Sequence, residues 1–560
     1  MYHVAFNGSQ ANILRLFPLT ACRLSSCHSH KWQSTYWQTF VTRKRKCPLT
    51  KDLREVIVEI TLAGYQLEAE AFELLRILQS EEHFEFIVNE SLVEANNLSP
   101  KPIVITRDLV EKVLSKVTKG KEVPAGHVHL RSSVPFAKEI SSDIEIIKDG
   151  NEEAESSGTL GDFNQYFRDR YEKLSRILHE RLDFRDAHDV TTALEAKYGT
   201  RLKMTAIVMN KRERIDRVFL EVEDVESTAT VLVTSSKGRE LFETARRILP
   251  DQVIGIEVVR GKSDLFIAEQ VILPDVPEKR SPKADCPVNA VLLSDIHVGS
   301  KTFCSDAFER LLMWLNGKIG TPKQVDAASR TKYVIIAGDL VDGIGVYPRQ
   351  EEDLSISSIY EQYKKVAQYI EQIPDYVEII VIPGNHDAVR QAHPQPAISK
   401  EFAESVYEVR NVRSLGNPSE VKIHGIHFLL YHGRSLDDVI ARVPNLSLRT
   451  PEKAMEYLLK CRHLAPEYGA RTSLAPECKD RLIITKVPDV FQAGHIHVAG
   501  NSSYRGTLIV NCGAWQEQTE YQRRMGIDPT PGVMPILDLH TLDLNMMNFV
   551  SSEVAISPNP

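Results

Sequence analysis

Between residues 288 and 493 the chain repeats one pattern five times: a short unbroken apolar run that ends in a polar turn. The runs cover residues 288–293, 333–337, 377–383, 426–431 and 490–493. Each has the length and β-branched composition of a strand buried on both faces, as in a parallel or mixed sheet with helices on its outside. Upstream, residues 201–274 show shorter runs: 204–209, 218–222 and 229–233, a helical stretch at 237–248, then 253–259 and 265–271. Three strands, a helix and two strands match the five-stranded OB barrel.

The period becomes helical nearer the start. Val56, Ile60, Ala63 and Leu67 share one face, Ala71, Leu74, Leu75 and Leu78 continue it, and 108–114 forms a second amphipathic helix with Thr106 as N-cap. Residues 119–160 are polar and acidic and read as a flexible linker, and a helix begins near Phe163. The expected fold is therefore a multidomain α/β chain. A disordered or misassigned extension (1–50) precedes a helical module (51–118), an acidic linker (119–160), a helical connector (161–200), an OB domain (201–280) and a final α/β domain (287–560).

Composition narrows the function classes. The chain has 560 residues with 42% hydrophobic and 26% charged side chains, enough to bury a large core. Eight scattered cysteines do not form a secreted disulfide framework, and no apolar run is long enough to cross a membrane, so a reduced, cytoplasmic protein is expected. Net charge is −8; the first fifty residues hold seven Lys/Arg and no acid, so the rest carries 61 basic against 76 acidic side chains. A surface of that balance does not coat duplex DNA indiscriminately. Nucleic-acid contact has to be local or shared with a partner. Cys22, Cys27, His28 and His30 fit no standard zinc spacing.

The five turns carry the chemistry: Ser294-Asp295-Ile296-His297, Gly338-Asp339-Leu340-Val341-Asp342-Gly343, Gly384-Asn385-His386-Asp387, His432-Gly433 and Gly494-His495-Ile496-His497. Open α/β sheets place their sites at the carboxyl ends of strands. Asp295 and His297 can face one ion, with His497 returning to it. Asp339 offers two oxygens and can bridge to a second ion completed by Asn385, His432 and His495. Mixed imidazole, carboxylate and amide ligation favours Mn²⁺, Fe²⁺ or Zn²⁺ over Ca²⁺ or an all-oxygen Mg²⁺ site. His386 is left to protonate a leaving oxygen, and Asp342 is expected either to hold the tautomer of His386 or only to brace the turn. Five such motifs, each after an apolar run, make a coincidental arrangement a poor explanation.

This motif set resembles that of the calcineurin-like metallophosphoesterases. The wider stretches 294–303, 341–348, 385–390, 394–397 and 511–516 are similar to the small-subunit family of the archaeal family D DNA polymerase. The resemblance spans roughly 195–550. It implies a calcineurin-like phosphoesterase β-sandwich flanked by helices, acting as a 3′–5′ exonuclease that proofreads for a separate large catalytic subunit. Its substrate would be DNA 3′ ends, single-stranded or mismatched. The implied cofactor is a pair of divalent ions, Mn²⁺ first, with Mg²⁺, Fe²⁺ or Zn²⁺ as alternatives. It also implies the same ligand roles for Asp295, His297, Asp339, Asn385, His432, His495 and His497, with His386 as the acid. Arg349 stands where the family pattern leads one to expect glycine, and with Arg390 and His393 it is a candidate substrate contact. Arg434, Arg523 and Arg524 are further basic residues near the motifs. Two other readings remain open at this point: a scaffold subunit with a vestigial nuclease, and a phosphoesterase acting on another substrate.

Overall fold

The computed structural model describes residues 60, 65–78, 87–88, 91–92, 94–95, 104–118, 134–151, 158–475, 477–550 and 555–558. The expectations for residues 1–50, for Val56 and Ala63, and for 119–133 and 152–157 lie outside the described residues. The chain divides into two compact units, Met1–His129 and Leu130–Pro560.

In the first unit, β1 (Gln66–Leu67) pairs in parallel with β2 (Val104–Ile105), and helices α1 (Ala69–Leu78) and α2 (Arg107–Thr118) pack beside them. Leu67, expected on a helical face, lies in the short strand; Ala71, Leu75, Val110 and Val113 form the core with Ile60 and Ile105.

The second unit opens with β3 (Ile144–Lys148), which pairs antiparallel with a strand far along the chain, residues 419–423. This corrects the linker reading. An edge strand pairs on one side only, so it tolerates the acidic neighbours Asp143, Glu145 and Asp149 that hid it in the sequence. Helix α3 (Leu160–His179) follows, started by a capping box between Thr159 and Asp162. Strands β4 (Arg201–Arg214), β5 (Arg217–Glu223), β6 (Thr228–Thr234), β7 (Val253–Arg260) and β8 (Leu265–Ile272) close a barrel in the order β4-β5-β6-β8-β7. β5 and β6 alternate buried and half-exposed positions along their length, the period-2 pattern read from the sequence. Helix α4 (Arg239–Arg247) buries Phe242 and Ala245 against the barrel core.

Helix α3 is no free connector. Leu174 and Leu178 pack with Ile207, Val253 and Ile272 of the barrel and with Ile483. Beside them the fully buried Arg170 donates to Asp480 at 2.7 Å and to the Pro466 carbonyl, and His463 meets the same Asp480 at 2.7 Å. Burial pushes the His463 imidazole down to about 4, and the Arg170 cation adds to this against the pull of Asp480. An unfolded histidine titrates near ~6.5, so between that pH and ~4 the unfolded chain binds a proton that the folded chain refuses. The stabilisation is complete above pH ~6.5 and lost as pH falls, on the order of 3 kcal/mol in all. Lowering the pH from about 7 to about 5 should therefore reduce the urea midpoint more in the native chain than in a His463→Gln variant, which keeps an N–H for Asp480. Equal losses in the two would rule this account out.

The remaining strands build two stacked mixed sheets. β9 (Asn289–Leu293), β10 (Thr331–Ala337), β11 (Glu378–Ile382) and β12 (Val412–Ser414) run parallel. β13 (Ser419–Ile423), β14 (Ile426–Leu430), β15 (Val490–Ala493), β16 (Gly500–Tyr504) and β17 (Thr507–Asn511) join β3 in the second sheet, and β18 (Val533–Asp538), β19 (Leu544–Asn548) and β20 (Ala555–Pro558) complete the first. The orders are β12-β11-β10-β9-β18-β19-β20 and β16-β17-β15-β14-β13-β3.

The facing sides share one core, with Leu292, Ile335 and Ile380 meeting Val421, Phe428 and Val490. Outside the first sheet, Val291, Val334 and Val381 pack with α5 (Ser305–Leu315) and α6 (Ile359–Ile370); outside the second, Leu429, Phe491 and Ile509 pack with α7 (Leu436–Arg442) and α8 (Pro451–Cys461). Strands buried on both faces explain why their sequences are continuous apolar runs. Among the described residues no helix is long and apolar enough to cross a membrane.

Candidate metal centre

β9, β10, β11, β14 and β15 all end on one rim, and the five polar turns follow their carboxyl ends. The backbone there is unusual. Asp295, His297, Asp339, His495 and His497 all have positive φ, between 52° and 70°. Non-glycine residues in this region each cost about 1–3 kcal/mol, a cost that surrounding structure must offset. Two glycines make room: a Cβ at Gly384 would collide with the Asp339 carboxylate, and one at Gly494 with that of Asp295. Helix α9 (Glu520–Met525) closes one side of the cleft.

The side chains converge in overlapping groups: beside the two described next, His386 also stands within ion-holding reach of His297 and Asp339. In the first, Nε2 of His297 and Nε2 of His497 are 3.1 Å apart, and Asp295 Oδ1 lies 3.4 Å from the latter and 3.9 Å from the former. That carboxylate oxygen is buried and has no hydrogen bond. In the second, Nε2 of His432 is 3.1 Å from Asn385 Oδ1 and 3.2 Å from Asp339 Oδ2. His495 joins Asp339 and His432 closely enough for the three to hold an ion together. Asp339 Oδ2 is also 3.8 Å from His297 Nε2, so it lies between the groups. Burial works against the charge of Asp295, but the neighbouring His497 outweighs it and the carboxyl falls to about 2; Asp339 is likewise held well below the ordinary range by His432 and His386.

An orphaned carboxylate oxygen beside two facing imidazole nitrogens, all buried, is the donor set a divalent cation satisfies. The residues fit such a pair of ions.

The second nitrogen of each imidazole has its own partner, as expected of ligating histidines. His432 Nδ1 donates to the Ala337 carbonyl at 2.9 Å, and the Gln522 amide lies 2.8 Å from His497 Nδ1. Asp437, itself bonded by Arg434 at 2.6 Å, lies 3.2 Å from His495 Nε2 and leaves Nδ1 for the cluster. Asp342 departs from its expected role. Its carboxylate meets His297 Nδ1 at 3.1 Å, while its main-chain carbonyl accepts from His386 Nδ1 at 2.7 Å. The turn between Asp339 and Gly343 points the side chain back under His297, where Gln350 and Gln516 also donate to it. With Nδ1–H committed to a carbonyl, Nε2 is the nitrogen through which His386 can exchange a proton.

The expected substrate contacts are not among the residues that line this cleft. Arg390 donates to the Pro394 carbonyl and to Glu477, pinning its own loop. His393 is buried behind the second group, where Asn417 contacts it and also accepts from the His432 main-chain N–H, and Arg349 is exposed at φ 65°, the conformation that explains the glycine expected there. Arg523 and Arg524 pair with Glu520 at the surface. Of the basic residues singled out, Arg434 lines the cleft, joined by Arg471. Sequence reading missed Arg471, Asp437 and Gln522, none of which sits in a motif, and gave no role to Gln516, which ends the 511–516 stretch; only their contacts reveal what they do.

The family model for the B-type subunit of DNA polymerases alpha and epsilon matches residues 290–499. Among curated relatives, the DNA polymerase II small subunit of Archaeoglobus fulgidus is 39% identical over 481 residues, covering 86% of this chain and 95% of that protein. The same-named proteins of Methanothermobacter thermautotrophicus and Pyrococcus horikoshii are 34% and 38% identical, covering 88% and 79% of this chain and 99% and 72% of theirs. With identity at this level along nearly the whole of its length, the chain belongs to the small-subunit family of the archaeal family D DNA polymerase.

Proposed function

We propose that this chain is a metal-dependent 3′–5′ exonuclease that removes nucleotides from DNA 3′ ends within a polymerase whose large subunit is a separate chain. The observation that carries the reading is the unpaired Asp295 oxygen beside the facing nitrogens of His297 and His497, with Asp339 shared by a second, equally complete group. A subunit kept only as a scaffold has no need of seven converging donors, six of them buried and most of them braced from behind.

In this reading Asp295, His297, Asp339 and His497 hold one divalent ion, Mn²⁺ for preference, and Asp339, Asn385, His432 and His495 hold the other. Bound ions would supply Lewis acidity to the phosphate oxygens and a nucleophilic water at neutral pH. The residues do the rest. Asp342, Gln522, Asp437 and the Ala337 carbonyl keep four imidazoles aimed inward. Arg434 and Arg471 offer positive charge to the DNA backbone. His386, its Nδ1–H held by the Asp342 carbonyl, presents Nε2 to the departing 3′ oxygen and, as the imidazolium, gives it the Nε2 proton, returning to the neutral Nδ1–H tautomer. The closed five-stranded barrel at 201–280, read as an OB fold, serves either to guide a single strand or to space the partner from the sandwich at 287–560. The helical module at 51–118 is a further candidate for partner contact.

The test is digestion of a 5′-labelled, 3′-mismatched primer by the full chain, metal-stripped and then given Mn²⁺, alone and with the large subunit. Stepwise loss of 3′ nucleotides that requires added Mn²⁺ is expected. No digestion under either condition would end the proposal.

A further inference from the structure

The cleft beside the metal-ligand cluster has a volume of about 330 Å³, the scale of a small-molecule site rather than a duplex. At its rim two tyrosines face each other. Tyr347 lies in the loop after Asp342 and Tyr521 on helix α9; their rings are nearly parallel, 20° apart in tilt, with centroids separated by 6.4 Å. Both line the same cavity as His297, Asp342 and His386. Tyr521 is 56% exposed, a large aromatic left open to water next to a buried, charged centre.

The Tyr347 ring is tied down, and Tyr521 is carried on a capped helix. The Tyr347 hydroxyl donates to Asp353 at 3.0 Å. Tyr521 stands next to Gln522, which closes the capping box of α9 with Thr519 and also reaches His497. The helix that orients a metal ligand thus also sets the distance from that ligand to the ring. Arg434 and Arg471 line the same cleft and supply cations, and Ile440, Leu448 and Met525 add apolar surface.

We propose that Tyr347 and Tyr521 form a stacking platform for the 3′-terminal base of the strand being trimmed; this rests on the exonuclease reading. Flat, accessible aromatic rings beside cationic groups are what single-strand sites use, because every base has a π-face. The platform accepts any base, and only one that has left its duplex. A paired terminal base is already stacked on its neighbour, whereas a mismatched one is free to transfer to the tyrosines. Preference for frayed ends then follows from competition between two stacking partners, with no reading of base identity.

The test uses the full chain and a single-stranded oligonucleotide ending in 2-aminopurine, whose fluorescence falls when the base stacks. In metal-free buffer the native chain should quench it on binding. Tyr347→Ala and Tyr521→Ala should leave it near the unbound level, and Tyr521→Trp should restore the quench. In a second arm, with Mn²⁺, the native chain should prefer a terminal thymidine over a terminal abasic residue by about tenfold or more in kcat/KM, and the alanine variants should lose that preference. Unchanged quenching and unchanged preference in both alanine variants would overturn the platform. If the native chain digests no 3′ end, the exonuclease reading fails, while the quenching arm still decides whether the tyrosines stack a base.

Discussion

Asp339→Asn is expected to abolish Mn²⁺-dependent digestion of 3′ ends, lowering kcat by about 10³-fold or more, the kinetic equivalent of losing ~4 kcal/mol of charge stabilisation. The substitution is nearly isosteric. An amide oxygen can still accept the main-chain N–H of His386, which Asp339 now takes at 2.7 Å. What disappears is the negative charge at the one position that lies 3.2 Å from His432 and 3.8 Å from His297. Both ion sites lose a donor together, so metal analysis of the purified variant should show loss of bound divalent ions along with loss of activity. Removing a donor that belongs to one group alone, such as Asn385, would be expected to impair one site and spare the other. A variant that kept full metal content and near-native digestion would show that Asp339 is not the shared ligand.

His386→Ala should behave differently. Its imidazole sits against His297, ring centroids 4.7 Å apart, and comes within ion-holding reach of His297 and Asp339, but its Nδ1 is spent on the Asp342 carbonyl and each of the two proposed ion sites has its donors without it. Metal content should therefore persist while digestion of DNA slows by about 10²–10⁴-fold, the usual contribution of a positioned proton donor. The leaving group separates this role from a purely structural one. A 3′ alkoxide needs a proton as it departs, whereas 4-nitrophenolate is stable without one. Hydrolysis of bis(4-nitrophenyl) phosphate should consequently fall far less than DNA digestion. Equal losses on both substrates would assign His386 to positioning rather than proton transfer.

Much of this centre can be read along the chain because its parts are local. A run such as Tyr333–Ala337 is apolar because the strand is covered on both faces, and the turn after it is polar because it emerges at the strand's carboxyl end. The same holds for the barrel, where strand ends agree with the alternation to within a few residues. Short or edge strands such as β3, β12 and β13 went unread, and for β3 the reason is that a single edge strand among acidic neighbours has too weak a pattern. Reading failed elsewhere for a different reason. Arg390 and His393 follow Asn385 closely in sequence, but the loop carries one side chain to Glu477 and buries the other. Nearness along a chain that reverses direction is no guide to where a side chain ends up.

By itself, then, the sequence determined the strands of the barrel, the five strands that lead into the polar turns, and which of those turns carry aspartate, asparagine and histidine side chains. Each of those properties is encoded within a few consecutive residues. Packing of the sheets and helices decided the remainder: that the Asp342 carboxylate serves His297 rather than His386, that Asp437 and Gln522 brace His495 and His497, and that two tyrosines 174 positions apart share one rim. These are contacts between segments that meet only when two sheets and their covering helices close around a common core, and no local pattern in the chain records them.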